Sequence, residues 1–168
     1  MTNYVALLRA VNVGGTGKLP MAELRAIAEG LGWQQVRTYI ASGNLLFASE
    51  HDAAHCQAQL EQALFDHAGK PVGVLIRSAE QIAQVLAANP FPEAPGNRVV
   101  AIFLDSAPPT HWQEGVRGQQ AEMIAPGDRE LYVHYGDGMA DSRLKIAAAE
   151  RGTARNMNTV AKLVSMLA

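Results

Sequence analysis

The chain has 168 residues, 48% of them hydrophobic and 18% charged, with a formal net charge of −2. That composition excludes a disordered chain, and the slight acidity argues against binding nucleic acid or a membrane surface through bulk charge. One cysteine, Cys56, excludes an intrachain disulfide and a cysteine-rich zinc site.

The length predicts one domain or two small lobes. Tyr4 to Ala10 is apolar nearly throughout, which predicts a strand covered on both faces. Arg9 to Pro20 reads RAVNVGGTGKLP, with three glycines, an asparagine and a cation near each end. Glycine lets backbone N–H groups converge, and converging N–H groups bind anions. Pro20 is predicted at the first position of a helix, where Met21, Leu24, Ile27, Ala28 and Leu31 recur at helical spacing. Gly32 is its stop. Gln35 to Ala41 and Leu45 to Ser49 read as strands joined at Ser42-Gly43-Asn44. Ser49 with Asp52 predicts a capping-box-like start to the next helix. That helix carries Ala53, Cys56, Leu60, Ala63, Leu64 and His67 on one face and ends at Gly69-Lys70-Pro71. A strand from Val72 to Arg77 follows, then a short helix capped by Ser78 and Gln81 and running to about Ala88.

The order β-α-β-β-α-β is the ferredoxin-like unit. Residues 89–96, rich in proline, read as a connector. Val99 to Leu104 starts a second half. Pro108 and Pro109 predict a helix to about Gly118, then strands at Met123 to Ala125 and Leu131 to Tyr135. Helices are predicted at Ser142 to Glu150 and Arg155 to Leu167, the latter in place of a last strand. The predicted class is α+β, two ferredoxin-like halves in tandem with mostly antiparallel sheets. The halves are 1–78 and 98–168, with 79–97 as helix and connector.

The motif tests narrow the chemistry. In GGTGK the P-loop fails twice: Asn12 stands where its first glycine belongs and Leu19 where its hydroxyl belongs. The dinucleotide pattern fails at Pro20. An anion nest at Val13-Gly14-Gly15 survives, against a plain strand-to-helix turn. Arg155-Asn156-Met157-Asn158-Thr159 reads as the start of the last helix, with Thr153 as its N-cap. An arginine in a first turn opposes the helix dipole, so this segment is a candidate holder of a carboxylate or phosphate. The alternative is a structural arginine paired with an acidic neighbour. His51 and His55 stand at zinc-ligand spacing but lack a third ligand, and no metal or cofactor is predicted. Ser42 reads as a hairpin residue without a triad partner in sequence. Asn3, Arg9 and Asn12 interrupt any signal-like apolar run, and no run approaches the roughly 20 apolar residues of a membrane span, so a cytoplasmic location is expected.

The strings YVALLRAVNVGG, MAELRAIAEGLGW, VRTYIASGN, NPFP, LYVHYGDG and TARNMNTVAKL, in this order, resemble the bacterial family called domain of unknown function 1697. The resemblance runs from Tyr4 to Leu163 and implies two ferredoxin-like parts without an activity. The family's pattern usually has Gly where this chain has Ala10 and Trp where it has Met157. The latter removes an aromatic that would stack on a ligand.

Three functions are expected to compete. The first is a binding module for a small anionic or phosphate-bearing ligand. Its candidate residues are Arg9, Asn12, Gly14, Gly15 and Lys18 on one wall, Arg155, Asn156 and Asn158 on the other, and Ser42 in the hairpin. The second is a small phosphoester hydrolase or transferase, for which no catalytic residue is assignable. The third is a nucleic-acid-associated module using the basic tail, where Arg143, Lys145, Arg151, Arg155 and Lys162 outnumber Asp141 and Glu150.

Overall fold

The structure, a computed structural model, describes residues 1–9, 19–40 and 43–168. It divides into two units. One holds Met1–Ile82 with Leu163–Ala168, and the other holds Ala83–Lys162.

The first unit is a four-stranded antiparallel sheet of β1 (Thr2–Leu8), β2 (Gln34–Thr38), β3 (Asn44–Ser49) and β4 (Val74–Ser78), in the order β2-β3-β1-β4. This is the split-βαβ order of the ferredoxin-like unit. Helices α1 (Met21–Gly30) and α2 (Ala53–Ala68) supply its crossovers. Alternation along β1 sends Tyr4, Ala6 and Leu8 into a core with Leu24, Leu45, Phe47, Cys56, Leu60 and Leu64. Val5 and Leu7, on the opposite face, are buried too, as the continuous apolar run requires. Trp33 stacks on Phe47 at 3.8 Å between ring centroids, and the Tyr4 hydroxyl donates to the His51 carbonyl at 2.9 Å.

Gly32 does end α1, with φ +84 just past the helix. Pro20 stands one place earlier than expected, at the extended N-cap position. Asp52 alone caps α2, accepting from the His55 N–H at 2.8 Å, while the Ser49 hydroxyl accepts from the His51 N–H. The Ser78–Gln81 capping box forms as predicted: each backbone N–H donates to the other's side chain, at 2.9 and 3.1 Å. It opens α3 (Ala79–Ala87).

The second unit repeats the strand order. Its sheet contains β5 (Val99–Phe103), β7 (Met123–Pro126), β8 (Glu130–His134) and β10 (Thr153–Asn156), arranged β10-β5-β8-β7 with antiparallel pairing. Four expectations are corrected here. The helix expected after Pro108 and Pro109 is a short 3-10 turn, Trp112–Gly115, followed by β6 (Val116–Arg117). The helix expected from Ser142 to Glu150 is β9 (Lys145–Ile146) between 3-10 turns at Gly136–Asp141 and Ala147–Ala149. β6 and β9 pair antiparallel as a separate small ladder. The last strand, which the sequence pattern replaces with a helix, is present as β10. It pairs with β5, and α4 (Met157–Leu167) begins only after it. Asn156, not Thr153, caps that helix, its Oδ1 accepting from the Thr159 N–H at 2.9 Å.

The physical reasons are local. Gly115 and Gly118 weaken helix after the two prolines. Ser142 is not free to cap: its hydroxyl donates to the Glu122 carboxylate and accepts from the Leu144 N–H. A nine-residue segment is marginal as a helix without a packed face. Here Ile146 is buried in a core with Leu104, Leu131 and Val133 instead.

Candidate functional site

Of the residues singled out from sequence, Asn12, Gly14, Gly15, Lys18 and Ser42 lie outside the described residues. Arg9 is exposed at the end of β1, its N–H donating to the Gly73 carbonyl at 2.9 Å. Arg155 is not in a helix turn but on β10, opposite Ala101, and is 7% exposed. Its Nη1 donates to Thr153 Oγ1 at 2.7 Å and to the Ala154 carbonyl at 2.9 Å. Burial pulls its pKa down to about 10, which leaves it a cation at neutral pH. Asn158 is exposed in the first turn of α4, and a Cβ at Gly96 would collide with its Oδ1. Arg9 belongs to the first unit, Arg155, Asn156 and Asn158 to the second. His51 and His55 stack at 4.1 Å, and no group of three metal-ligating side chains occurs among the described residues.

The second unit contains a cleft that the sequence did not mark. It encloses about 400 Å³ and runs along the β6–β9 ladder. Ile102, Leu144, Ile146, Ala147 and Ala149 give it apolar lining; Gly115, Tyr135, Arg117, Lys145 and Glu150 complete it. Arg117 and Lys145 are direct cross-strand partners. Such partners project from the same side of a ladder, roughly 5 Å apart at Cβ, and like charges there destabilise the pairing. Neither makes an ion pair among the described residues. The Arg117 Nη1 donates to the Glu114 and Val116 carbonyls, both at 3.0 Å, which fixes the guanidinium along the ladder.

The ladder is held from behind. Glu122 is buried and accepts from the Ser142 hydroxyl and, at 2.6 Å, from the Gln120 N–H. These bonds hold its carboxyl below the usual carboxylate range, the Ser142 bond contributing most. A carboxylate so satisfied is a poor base, so the Ser142–Glu122 pair is a clamp between segments rather than a nucleophile and its activator. Gly118, at φ +71, lies so close to Arg143 that a Cβ would collide with the Arg143 carbonyl. Gly115 similarly lets its turn lie against Ala147, where a Cβ would meet the Ala147 Cβ at 2.7 Å. Burial raises the Tyr135 phenol pKa, with the Glu122 charge adding to it, so the ring keeps its proton and can donate.

Residues 1–132 match the family model described as Protein of unknown function (DUF1697). The chain belongs to this family. A solved structure of a conserved bacterial protein from Streptococcus pneumoniae is similar over 99% of both chains, with a TM-score of 0.80 and 25% identity. No functionally curated protein matches the sequence. These descriptions name no activity. Tyr135, Lys145 and Glu150 of the cleft lie beyond the matched segment.

Two expected helices hid this site. The basic tail was visible, but Lys145 was placed on a helix and Arg117 on another, which concealed their pairing. The alternation Val116-Arg117 and Lys145-Ile146, apolar and charged, is a strand signal too short to read alone.

Proposed function

We propose that this protein is a binding module for a small anionic ligand. The observation that carries the reading is the Arg117–Lys145 cross-strand pair, two cations without an ion-pair partner among the described residues, on a cleft of about 400 Å³. A bound oxyanion relieves their mutual repulsion and accepts charge-assisted hydrogen bonds from both. The cleft's volume falls within the range of small-molecule sites.

The same ligand class keeps the sequence-derived residues in the proposal as separate candidate contacts: Arg9, Asn12, Gly14, Gly15, Lys18 and Ser42 in the first unit, and Arg155, Asn156 and Asn158 in the second. The test is calorimetric titration and thermal shift with inorganic phosphate, sugar phosphates, nucleotides and a short oligonucleotide. Arg117→Ala/Lys145→Ala and Arg9→Ala/Lys18→Ala double variants are run beside the wild type. The proposal expects ligand-dependent stabilisation that weakens with added salt and is lost in the first double variant. Loss only in the second moves the site to the glycine turn. No stabilisation by any of these ligands at low salt contradicts the binding function.

A further inference from the structure

We infer that the ligand of the β6–β9 cleft is an amphipathic anion, a phosphate or carboxylate head on an apolar body, and not a bare oxyanion or a sugar phosphate. The inference rests on the anion-binding reading above and adds the chemistry of the rest of the ligand. A bare oxyanion fills only a small part of about 400 Å³. Apart from Arg117, Lys145, Glu150, Tyr135 and Gly115, the lining comes from Ile102, Leu144, Ile146, Ala147 and Ala149, none of which has a side-chain polar atom. A sugar brings hydroxyls that need partners, and this apolar stretch offers none from side chains; desolvating them there opposes binding. An alkyl or aryl body gains from the same contact, at about fourfold in affinity per buried methylene. Tyr135, half-buried in the lining, has an aromatic ring suited to an apolar body and a hydroxyl able to donate to an oxyanion.

The polar groups also sit where such a ligand needs them. Arg117, Lys145, Ala147 and Glu150 are exposed, whereas Ile146 is buried and Ile102, Leu144 and Ala149 are half-buried. The charged groups of the cleft therefore lie in water, and most of its apolar lining is partly or fully withdrawn from it. That contrast orients a molecule with one charged end.

The experiment is calorimetric titration of the full chain with inorganic phosphate, ethyl, butyl and hexyl phosphate, hexanoate and hexanol. The expected result is affinity rising roughly threefold to fourfold per methylene from ethyl towards hexyl phosphate. Hexanol, which lacks the charge, is expected not to bind, and Arg117→Ala/Lys145→Ala to abolish the series. Leu144→Ala, checked for folding by thermal melting, should flatten the chain-length slope and leave inorganic phosphate unchanged. Hexanoate binding alongside hexyl phosphate widens the head group to carboxylates; its absence assigns the site to phosphates. Affinities equal across inorganic, ethyl, butyl and hexyl phosphate overturn the inference while the anion-binding reading stands. Absence of binding by every anion removes both.

Discussion

A buried guanidinium one residue before a helix cap occurs twice in this chain. Arg77 on β4 is 2% exposed and Arg155 on β10 is 7% exposed. Each donates from Nη1 to the carbonyl of the residue before it, Ile76 at 3.2 Å and Ala154 at 2.9 Å. Each is followed by the cap of the next helix, Ser78 for α3 and Asn156 for α4. Each stands on an edge strand opposite the first strand of its half, at Val5 and at Ala101. Removing Arg155 takes the donor from the buried Thr153 hydroxyl oxygen and from the Ala154 carbonyl. Arg155→Ala is expected to cost about 2–4 kcal/mol in denaturant unfolding, with Arg155→Lys recovering part of it. A loss below 0.5 kcal/mol, the scale of a surface change, would contradict the structural reading of this position. Glu122 gives a pH-dependent counterpart. Its carboxyl is held below its ordinary value of 4.5, so the unfolded chain takes up this proton first as pH falls. The stabilisation is complete above that value and disappears as pH drops through the folded-state pKa. Melting curves from pH 7 to pH 3 should show wild type losing more stability than Glu122→Gln, and equal slopes would contradict the clamp.

At the scale of elements, the first half was legible because its signals agree. Helical periodicity, Gly32 and Gly69 as stops, and a reciprocal Ser78–Gln81 box each pointed to the same boundaries. The second half was legible in its sheet and not in its crossovers. Residues 108–118 and 142–150 contain helix formers, but tertiary pairing of Val116 with Ile146 and the Ser142–Glu122 bond hold them extended. Neither partner is near the other in sequence, so no local pattern shows it. Gly118→Ala tests this arrangement. It places a Cβ in a left-handed backbone and against the Arg143 carbonyl, so the β6–β9 ladder should part. Hydrogen exchange is expected to accelerate at 116–117 and 145–146 while β5 and β8 stay protected. Unchanged exchange in the ladder would contradict that role for Gly118.

At the scale of the molecule, one chain carries the 4-1-3-2 strand order twice, once in each unit. The duplication was legible only as element order. The residue-level echo, Arg77-Ser78 against Arg155-Asn156, is too short to stand out from 168 residues. The units differ where function is proposed: the first has α1 and α2 as crossovers, and the second has turns, a small ladder and a cleft. No helix among the described residues is long and apolar enough to cross a membrane. Anion binding in this cleft is proposed to run through Arg117 and Lys145. Its most direct test is backbone amide chemical-shift mapping of the labelled protein titrated with butyl phosphate. Saturable shifts are expected at Gly115, Arg117, Lys145 and Ala147, abolished by Arg117→Ala/Lys145→Ala. Saturable shifts confined to residues 9–18 and 155–158, or none at all, would contradict it.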